Sequence, residues 1–262
     1  MGNSEPIIFI VLPAYNAAKT LQHTLDEIPT QYRENIILVD DASRDNTASL
    51  AESLGIIVIR HERNMGYGAN QKTCYGRALE LGADIIVMLH PDHQYDATVI
   101  PALIEPLQKG ESDAVFGSRM LGGRPMEGGM PWWKYMANIF LTALANMVFC
   151  RYLTEIHSGF RAYSRKYLET VRYEDNSNDF VFDTEIIAQG MASNLFFREV
   201  PINTRYFPEA SSINFRRSVK YGIQIVIVLF QYLLHNIKLV HFRNLTPKRV
   251  DLKQIASPFA MR

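Results

Sequence analysis

Asp84-Ile85-Ile86-Val87-Met88-Leu89-His90-Pro91-Asp92-His93-Gln94 decides the fold of this 262-residue chain. One acid followed by five apolar residues is the composition of a strand covered on both faces of a parallel sheet. Polar residues then follow at once, and Asp96-Ala97-Thr98-Val99-Ile100 reads as a capped helix start. In an open α/β sheet, ligands bind beyond the carboxyl ends of the strands. His90, Asp92 and Gln94 are therefore placed where a metal ion and ligand phosphates would sit. In an extended loop these alternate positions face one way. A carboxylate with an amide oxygen suits Mg²⁺, and an added imidazole favours Mn²⁺.

Upstream, the same rhythm repeats. Ile7–Leu12 is a strand ending at Pro13-Ala14-Tyr15-Asn16, where Asn16 can cap a helix with Leu21, Leu25 and Ile28 on one face. Ile36–Val39 is a strand that delivers Asp40 and Asp41, followed by a short helix from Thr47 to Leu54 closed by Gly55. Ile56–Ile59 is a third strand. Asn64-Met65-Gly66-Tyr67-Gly68 turns into a helix over about Ala69–Leu81. Four strand–helix alternations predict βαβ units with a mostly parallel sheet. Gly66 and Gly68 lack the spacing of a phosphate-binding glycine fingerprint, so a tight strand-to-helix turn is the expectation.

Downstream, a helix is expected over Thr98–Lys109 and a strand over Asp113–Phe116. Leu121–Met130, with four glycines and a proline, reads as a loop. Pro131–Tyr152 reads as an apolar helix that opens with Trp132, Trp133, Lys134 and Tyr135, a pattern that suits either a membrane interface or packing on the sheet. Ser158–Ser164 gives a turn and a strand, Phe180–Glu185 starts a helix, and Leu195–Val200 is a strand. Ser218–Val240 is a long helix whose apolar run is broken by Gln231, His235, Asn236 and Lys238. A spanning helix wants about 20 apolar residues, so an interfacial amphipathic helix is expected. A loose tail follows Leu245. The chain divides into residues 1–215 and a C-terminal helix with a basic tail, 216–262.

A hydrophobic fraction of 47% with 21% charged residues excludes disordered and collagen-like classes. Cys74 and Cys150 stand apart without a CxxC, so no zinc site or disulfide framework is suggested, and a reducing cytosolic location fits. No basic and then apolar segment follows Met1, so no signal peptide is expected. From Arg198 onward eleven Lys/Arg face three Asp/Glu, which gives that part about +8 and the first 197 residues about −8. Such a tail suits phosphate-bearing lipid surfaces. No aromatic-basic strand pattern accompanies it, so nucleic acid is not an expected partner.

Paired acids at a strand end, Asp40 and Asp41, can bond a ribose or base, or help hold a divalent ion. Asp45 and Thr47 equally fit a capping loop. Arg119, Arg161, Arg205, Arg216 and Arg217 offer cations for phosphates. Asp183 and Glu185 fit either a helix dipole or acid–base chemistry.

Taken together, Pro13-Ala14-Tyr15-Asn16, Val39-Asp40-Asp41-Ala42-Ser43 with Asp45 and Thr47, Asn64–Gly68, Asp92 with Gln94, Gly117-Ser118-Arg119 and Ser158-Gly159-Phe160-Arg161 resemble family 2 glycosyltransferases. These have the GT-A fold, a Rossmann-like, mostly parallel sheet flanked by helices. The resemblance covers about residues 7–215 and is strongest to the dolichyl-phosphate mannose synthase-like branch. It implies an inverting transfer from a nucleotide-diphospho-sugar, GDP-mannose or a UDP-sugar, to a polyprenyl phosphate, with Mg²⁺ or Mn²⁺. By position it implies that Pro13, Tyr15, Asn16, Asp40, Asp41 and Gly66 hold the nucleotide. Asp92 and Gln94 would ligate the metal together with His90, which stands where the family has an aspartate and removes one negative charge. Arg119 and Arg161 would face phosphates, and Asp183 would be a base candidate for a hydroxyl acceptor. Without C-terminal transmembrane spans, attachment would be peripheral, on the cytoplasmic membrane face. The alternatives are a soluble family 2 enzyme acting on a polysaccharide, glycoprotein or small-molecule hydroxyl, and a non-catalytic nucleotide-sugar-binding protein.

Overall fold

A computed structural model describes residues 5–122, 125–205 and 215–248. In chain order the elements are β1 (Ile8–Ala14), α1 (Leu21–Glu27), β2 (Ile36–Asp40), α2 (Thr47–Ser53), β3 (Ile57–Arg60), α3 (Tyr67–Glu80), β4 (Ile85–Met88), α4 (Ile100–Gln108), β5 (Ala114–Ser118), α5 (Trp132–Phe149), β6 (Arg161–Ser164), α6 (Arg165–Thr170), α7 (Phe182–Ala192), β7 (Phe197–Pro201) and α8 (Phe215–Asn236). The strands form one mixed sheet in the order β3-β2-β1-β4-β6-β5-β7. β6 runs antiparallel to β4 and β5, and the remaining pairs are parallel.

The continuous apolar runs follow from burial on both sides of the sheet. Phe9, Val11, Ile37, Val39, Ile86 and Met88 pack toward α3, α5, α6, α7 and α8. Their alternate neighbours Ile10, Leu12, Ile36, Leu38, Ile85 and Val87 pack toward α1 and α4. The chain steps outward from β1 to β2 and β3, then crosses back to lay β4 on the other side of β1. That reversal leaves a crevice beyond the tips of β1 and β4, the place where ligands bind in doubly wound sheets.

Several element boundaries differ from the sequence expectation. Residues 97–99 form a 3-10 turn, capped by the Asp96 side chain accepting from Thr98 N at 3.0 Å, and α4 itself starts at Ile100. α5 stops at Phe149, because Cys150 takes a left-handed conformation (φ 50°). α8 begins earlier than expected and ends at Asn236. α6, unforeseen, is capped by Ser164 accepting from Tyr167 N.

α8 buries Ile225, Val228, Leu229 and Tyr232, with the Tyr232 ring edge-on to Phe149 of α5 at 4.8 Å. By length and composition it is the one described helix apolar enough to cross a membrane (mean hydropathy 1.2). Beyond it, Leu245 is buried and Lys248 N donates to Thr170 O at 2.8 Å. Residues 249–262 of the expected tail lie outside the described residues.

Candidate active site

The crevice is a cleft of ≈ 1180 Å³. One side is built by Pro13, Ala14, Tyr15 and Asn16 after β1 and by His90, Pro91, Asp92 and Gln94 after β4. Both loops turn through left-handed residues, Asn16 (φ 52°) and His93 (φ 56°), a conformation that asparagine and histidine adopt more readily than most side chains.

The polar residues after Asp40-Asp41 clamp two loops together. Ser43 Oγ accepts from Asn16 N at 2.8 Å, Asn16 Oδ1 accepts from Arg44 N at 2.8 Å, and Thr47 Oγ1 accepts from Ala17 N at 2.8 Å. Asp45 bonds Thr47 and Ala18 N. Burial would raise its carboxyl, but these bonds outweigh it and hold the group below the usual carboxylate range. The two acids at the β2 tip take different places. Asp41 lines the cleft and holds the entry to α3, accepting from Met65 N at 2.7 Å and Gly66 N at 2.9 Å, with His61 Nδ1 at 2.7 Å. Asp40 sits behind it, 5% exposed, accepting from Ser43 N at 3.1 Å.

Gly66 (φ 98°) and Gly68 make the expected turn. A Cβ on Gly68 would fall 2.3 Å from Ser177 O, so glycine is what lets the 177–180 loop close over the start of α3. Ser177, Asn178, Asp179 and Phe180 become cleft wall in this way.

At the β4 tip, Asp92 Oδ1 accepts from Gln94 N at 3.1 Å, and burial pushes the carboxyl pKa up despite the nearby His90. His90 meets Tyr67. Its Nε2 lies 3.3 Å from Tyr67 Oη, its ring stacks on Tyr67 at 5.6 Å, and burial pushes its pKa down. Tyr67 in turn donates to Asp183 Oδ2 at 2.8 Å, while Gln71 Nε2 donates to Asp183 Oδ1 at 3.1 Å. A Cβ on Gly159 would lie 2.6 Å from His90 Nε2. Gly159→Ala is therefore expected to push the imidazole off Tyr67 and to lower turnover by roughly tenfold, with a melting temperature down by a few degrees. Kinetics and a thermal melt of the variant check this.

Arg161 corrects an expectation. It does not face a phosphate, because it is 1% exposed beneath the cleft. Its Nε donates to Ser158 O at 2.7 Å and its Nη2 to Ile156 O at 3.0 Å. Nη1 lies 3.4 Å from Asp183 Oδ1, and the group stacks 5.0 Å from the Phe116 ring centroid. Asp183 thus balances a buried guanidinium while lining the cleft. Arg205 also lies elsewhere, paired to Glu27 at 2.7 Å.

Arg119 does line the cleft, held by the fully buried Glu155 through Nε at 2.8 Å and its backbone N at 2.7 Å. Burial would raise the Glu155 carboxyl, but Arg119 and the Asn138 amide outweigh it and hold it low. Arg217, a phosphate candidate from the sequence, lines the same cleft, as do residues that sequence reasoning did not place there: Lys134 of α5, Lys220, Tyr221 and Gln224 of α8, and His157. The signal for the α8 group was its spacing, since 217, 220, 221 and 224 fall on one helical face. His157 carried none beyond standing just before the Ser158-Gly159 turn; burial pushes its pKa down to about 4. The cleft is thus two-sided, acidic at the strand tips and cationic along α5 and α8. Among the described residues no three His, Cys, Asp or Glu side chains converge on one metal position.

The profile of Glycosyl transferase family 2 matches residues 9–172. UDP-N-acetylglucosamine–dolichyl-phosphate N-acetylglucosaminyltransferase of Methanococcus voltae is 29% identical over 220 residues, covering 78% of this chain and 87% of that protein. Polyprenol monophosphomannose synthase of Mycolicibacterium smegmatis is 22% identical over 201 residues, 74% of this chain and 75% of that one. Glucosyl-3-phosphoglycerate synthase from Mycobacterium tuberculosis, crystallised with Mn²⁺, uridine diphosphate and glucosyl-3-phosphoglycerate, superposes with a TM-score of 0.66 at 19% identity, covering 87% of this chain and 80% of that one.

Proposed function

The chain belongs to glycosyl transferase family 2, and from that membership we propose that it moves a sugar, with inversion, from a nucleotide-diphospho-sugar to a polyprenyl phosphate. The observation that carries the acceptor class is the state of the carboxylates around the cleft. Asp41 is committed to Met65, Gly66 and His61; Asp179 to Lys220 at 2.7 Å and Phe180 N at 2.9 Å; and Asp183 to Tyr67, Gln71 and Arg161. Asp92 accepts one hydrogen bond, from Gln94 N.

A hydroxyl acceptor would need a carboxylate to take its proton; Asp41, Asp179 and Asp183 are engaged in holding the site together, and Asp92 is the carboxylate this reading gives to the divalent ion. A phosphate monoester, with a second pKa of about 6, is already ionised at neutral pH. Its oxygen attacks the anomeric carbon opposite the diphosphate, the bond from that carbon to the diphosphate oxygen breaks, and the nucleoside diphosphate leaves. Lys134, together with Arg119 and Lys220, which are each held in place by a carboxylate partner, would orient the acceptor phosphate. The names of the Methanococcus and Mycolicibacterium relatives, with dolichyl phosphate and polyprenol phosphate chemistry, support the same acceptor class.

Pro13, Tyr15, Asn16, Asp41 and Gly66 would hold the nucleotide, with Asp40 bracing them from behind. A divalent ion, Mg²⁺ or Mn²⁺, fits the residues present: Asp92 is a desolvated carboxylate without a Lys or Arg partner among the described residues, and Gln94, whose backbone N it binds, lines the same cleft. These two would hold the ion, and His90, turned toward Tyr67, would shape the wall beside them. When bound, the ion neutralises charge developing on the leaving diphosphate. This reading puts the reaction at the cytoplasmic face of a membrane.

The test supplies labelled UDP-N-acetylglucosamine or GDP-mannose with a short polyprenyl phosphate in detergent. Label is expected in the organic phase, with one nucleoside diphosphate released per sugar moved and suppression by EDTA. Label passing only to hydroxyl acceptors, or nucleotide-sugar bound without release, overturns the proposal.

A further inference from the structure

The two helices that supply the cationic wall also turn an apolar face to solvent. On α8, Val219, Ile223, Val226, Ile227, Phe230 and Leu233 are 40–59% exposed, although the opposite side of the helix is buried. On α5, Trp132, Met136, Ile139, Phe140 and Met147 are 42–72% exposed. Steps of three and four residues place each set on one stripe. The helices pack on one another, with Phe149 against Tyr232. Apolar surface this extensive marks an interaction site.

Charge identifies the occupant. Residues 131–152 and 215–248 together contain eight Lys and Arg and no Asp or Glu, in a chain with 27 of each class. Arg216, Arg217 and Lys220 flank one end of the α8 stripe, and Lys238 and Arg243 the other. A second copy of this face would set cations against cations. A sheet of lipid phosphates would instead meet the exposed Arg216, Lys238 and Arg243 with opposite charge.

We propose that the α5–α8 face docks on the surface of an anionic lipid bilayer, with both stripes lying in the interfacial plane. α8 lies along the surface because its other side, through Ile225 and Leu229, is buried in the protein body. Lys134, Lys220 and Tyr221 line the cleft from these same helices, so docking holds the cleft mouth at headgroup level. The purpose of docking rests on the polyprenyl phosphate reading, but the binding itself does not.

The full chain is sedimented with vesicles of phosphatidylcholine alone, or with about 30 mol% phosphatidylglycerol. Binding at least about tenfold stronger to the anionic vesicles is expected, weakened as salt rises. Phe140→Ser with Phe230→Ser is expected to lower partitioning by roughly tenfold or more for each phenylalanine. Both side chains are exposed, so the variant's thermal melt should match the parent's. Three results overturn the proposal: a parent protein that ignores both vesicles, a double variant that binds as the parent does, or light scattering that shows a dimer which the double variant dissociates. The vesicles contain no acceptor and no nucleotide-sugar, so a failure here with turnover of a detergent-dispersed polyprenyl phosphate intact removes the docking and spares the acceptor reading.

Discussion

Asp92→Asn is expected to lower sugar transfer by roughly a hundred- to a thousandfold, without unfolding the protein. The substitution keeps the shape of the side chain and an oxygen that can still accept from Gln94 N, so the loop after β4 should survive. What it removes is the charge. Burial raises the Asp92 pKa, so the ionised carboxylate costs stability at neutral pH, a cost relieved as pH falls through the raised value. The amide avoids that cost, and the melting temperature should stay level or rise slightly. Two measurements made together decide the matter: initial rates of transfer, and the Mn²⁺-dependent rise in melting temperature that a bound ion produces. Parent-like rates with full metal dependence would exclude Asp92 as the ion's holder.

Arg161→Met is expected to act through the opposite channel. Removing the guanidinium leaves Asp183 without its buried counter-charge and the carbonyls of Ser158 and Ile156 without their donors. Breaking a buried pair from one side costs about 3–5 kcal/mol, which for a chain of this size lowers the melting temperature by roughly 10 °C. A phosphate-binding arginine would behave otherwise, raising KM while leaving the melt unchanged. A thermal melt beside a substrate titration separates the two roles, and an unchanged melting temperature would refute the structural one.

This contrast shows where sequence reading reached its limit. The strand-end acids, the two glycines before α3 and the paired βαβ units were legible because each obeys a local rule: alternation, capping, or a turn that needs glycine. Arg161 obeys none. Its neighbours along the chain, Gly159 and Phe160, gave it the look of a loop arginine, whereas its partner Asp183 comes from a helix 22 residues further on. The direction of β6 was hidden for a similar reason, since Arg161-Ala162-Tyr163-Ser164 alternates in the same way whether its neighbours run parallel or antiparallel. The broken apolar run did mark α8 as amphipathic, but the helix has apolar residues on both sides, and only its packing against α5 and α7 separates the buried stripe from the exposed one. Lys134 stood out beside the two tryptophans, yet no local pattern marks it as a residue of the cleft.

The strand order has a consequence for how the polypeptide assembles during synthesis. β3, β2, β1 and β4 are contiguous both in the sheet and along the first ninety residues, so this half can form while the ribosome is still making the rest. β5 emerges next but meets the sheet only through β6. Val115 can pack on α4 at once, but the backbone hydrogen-bonding edges of β5 must wait until the chain has been extended past Ser164. In that interval the nascent protein carries an unpaired strand, and a pause in translation there would lengthen the exposure on which chaperones act.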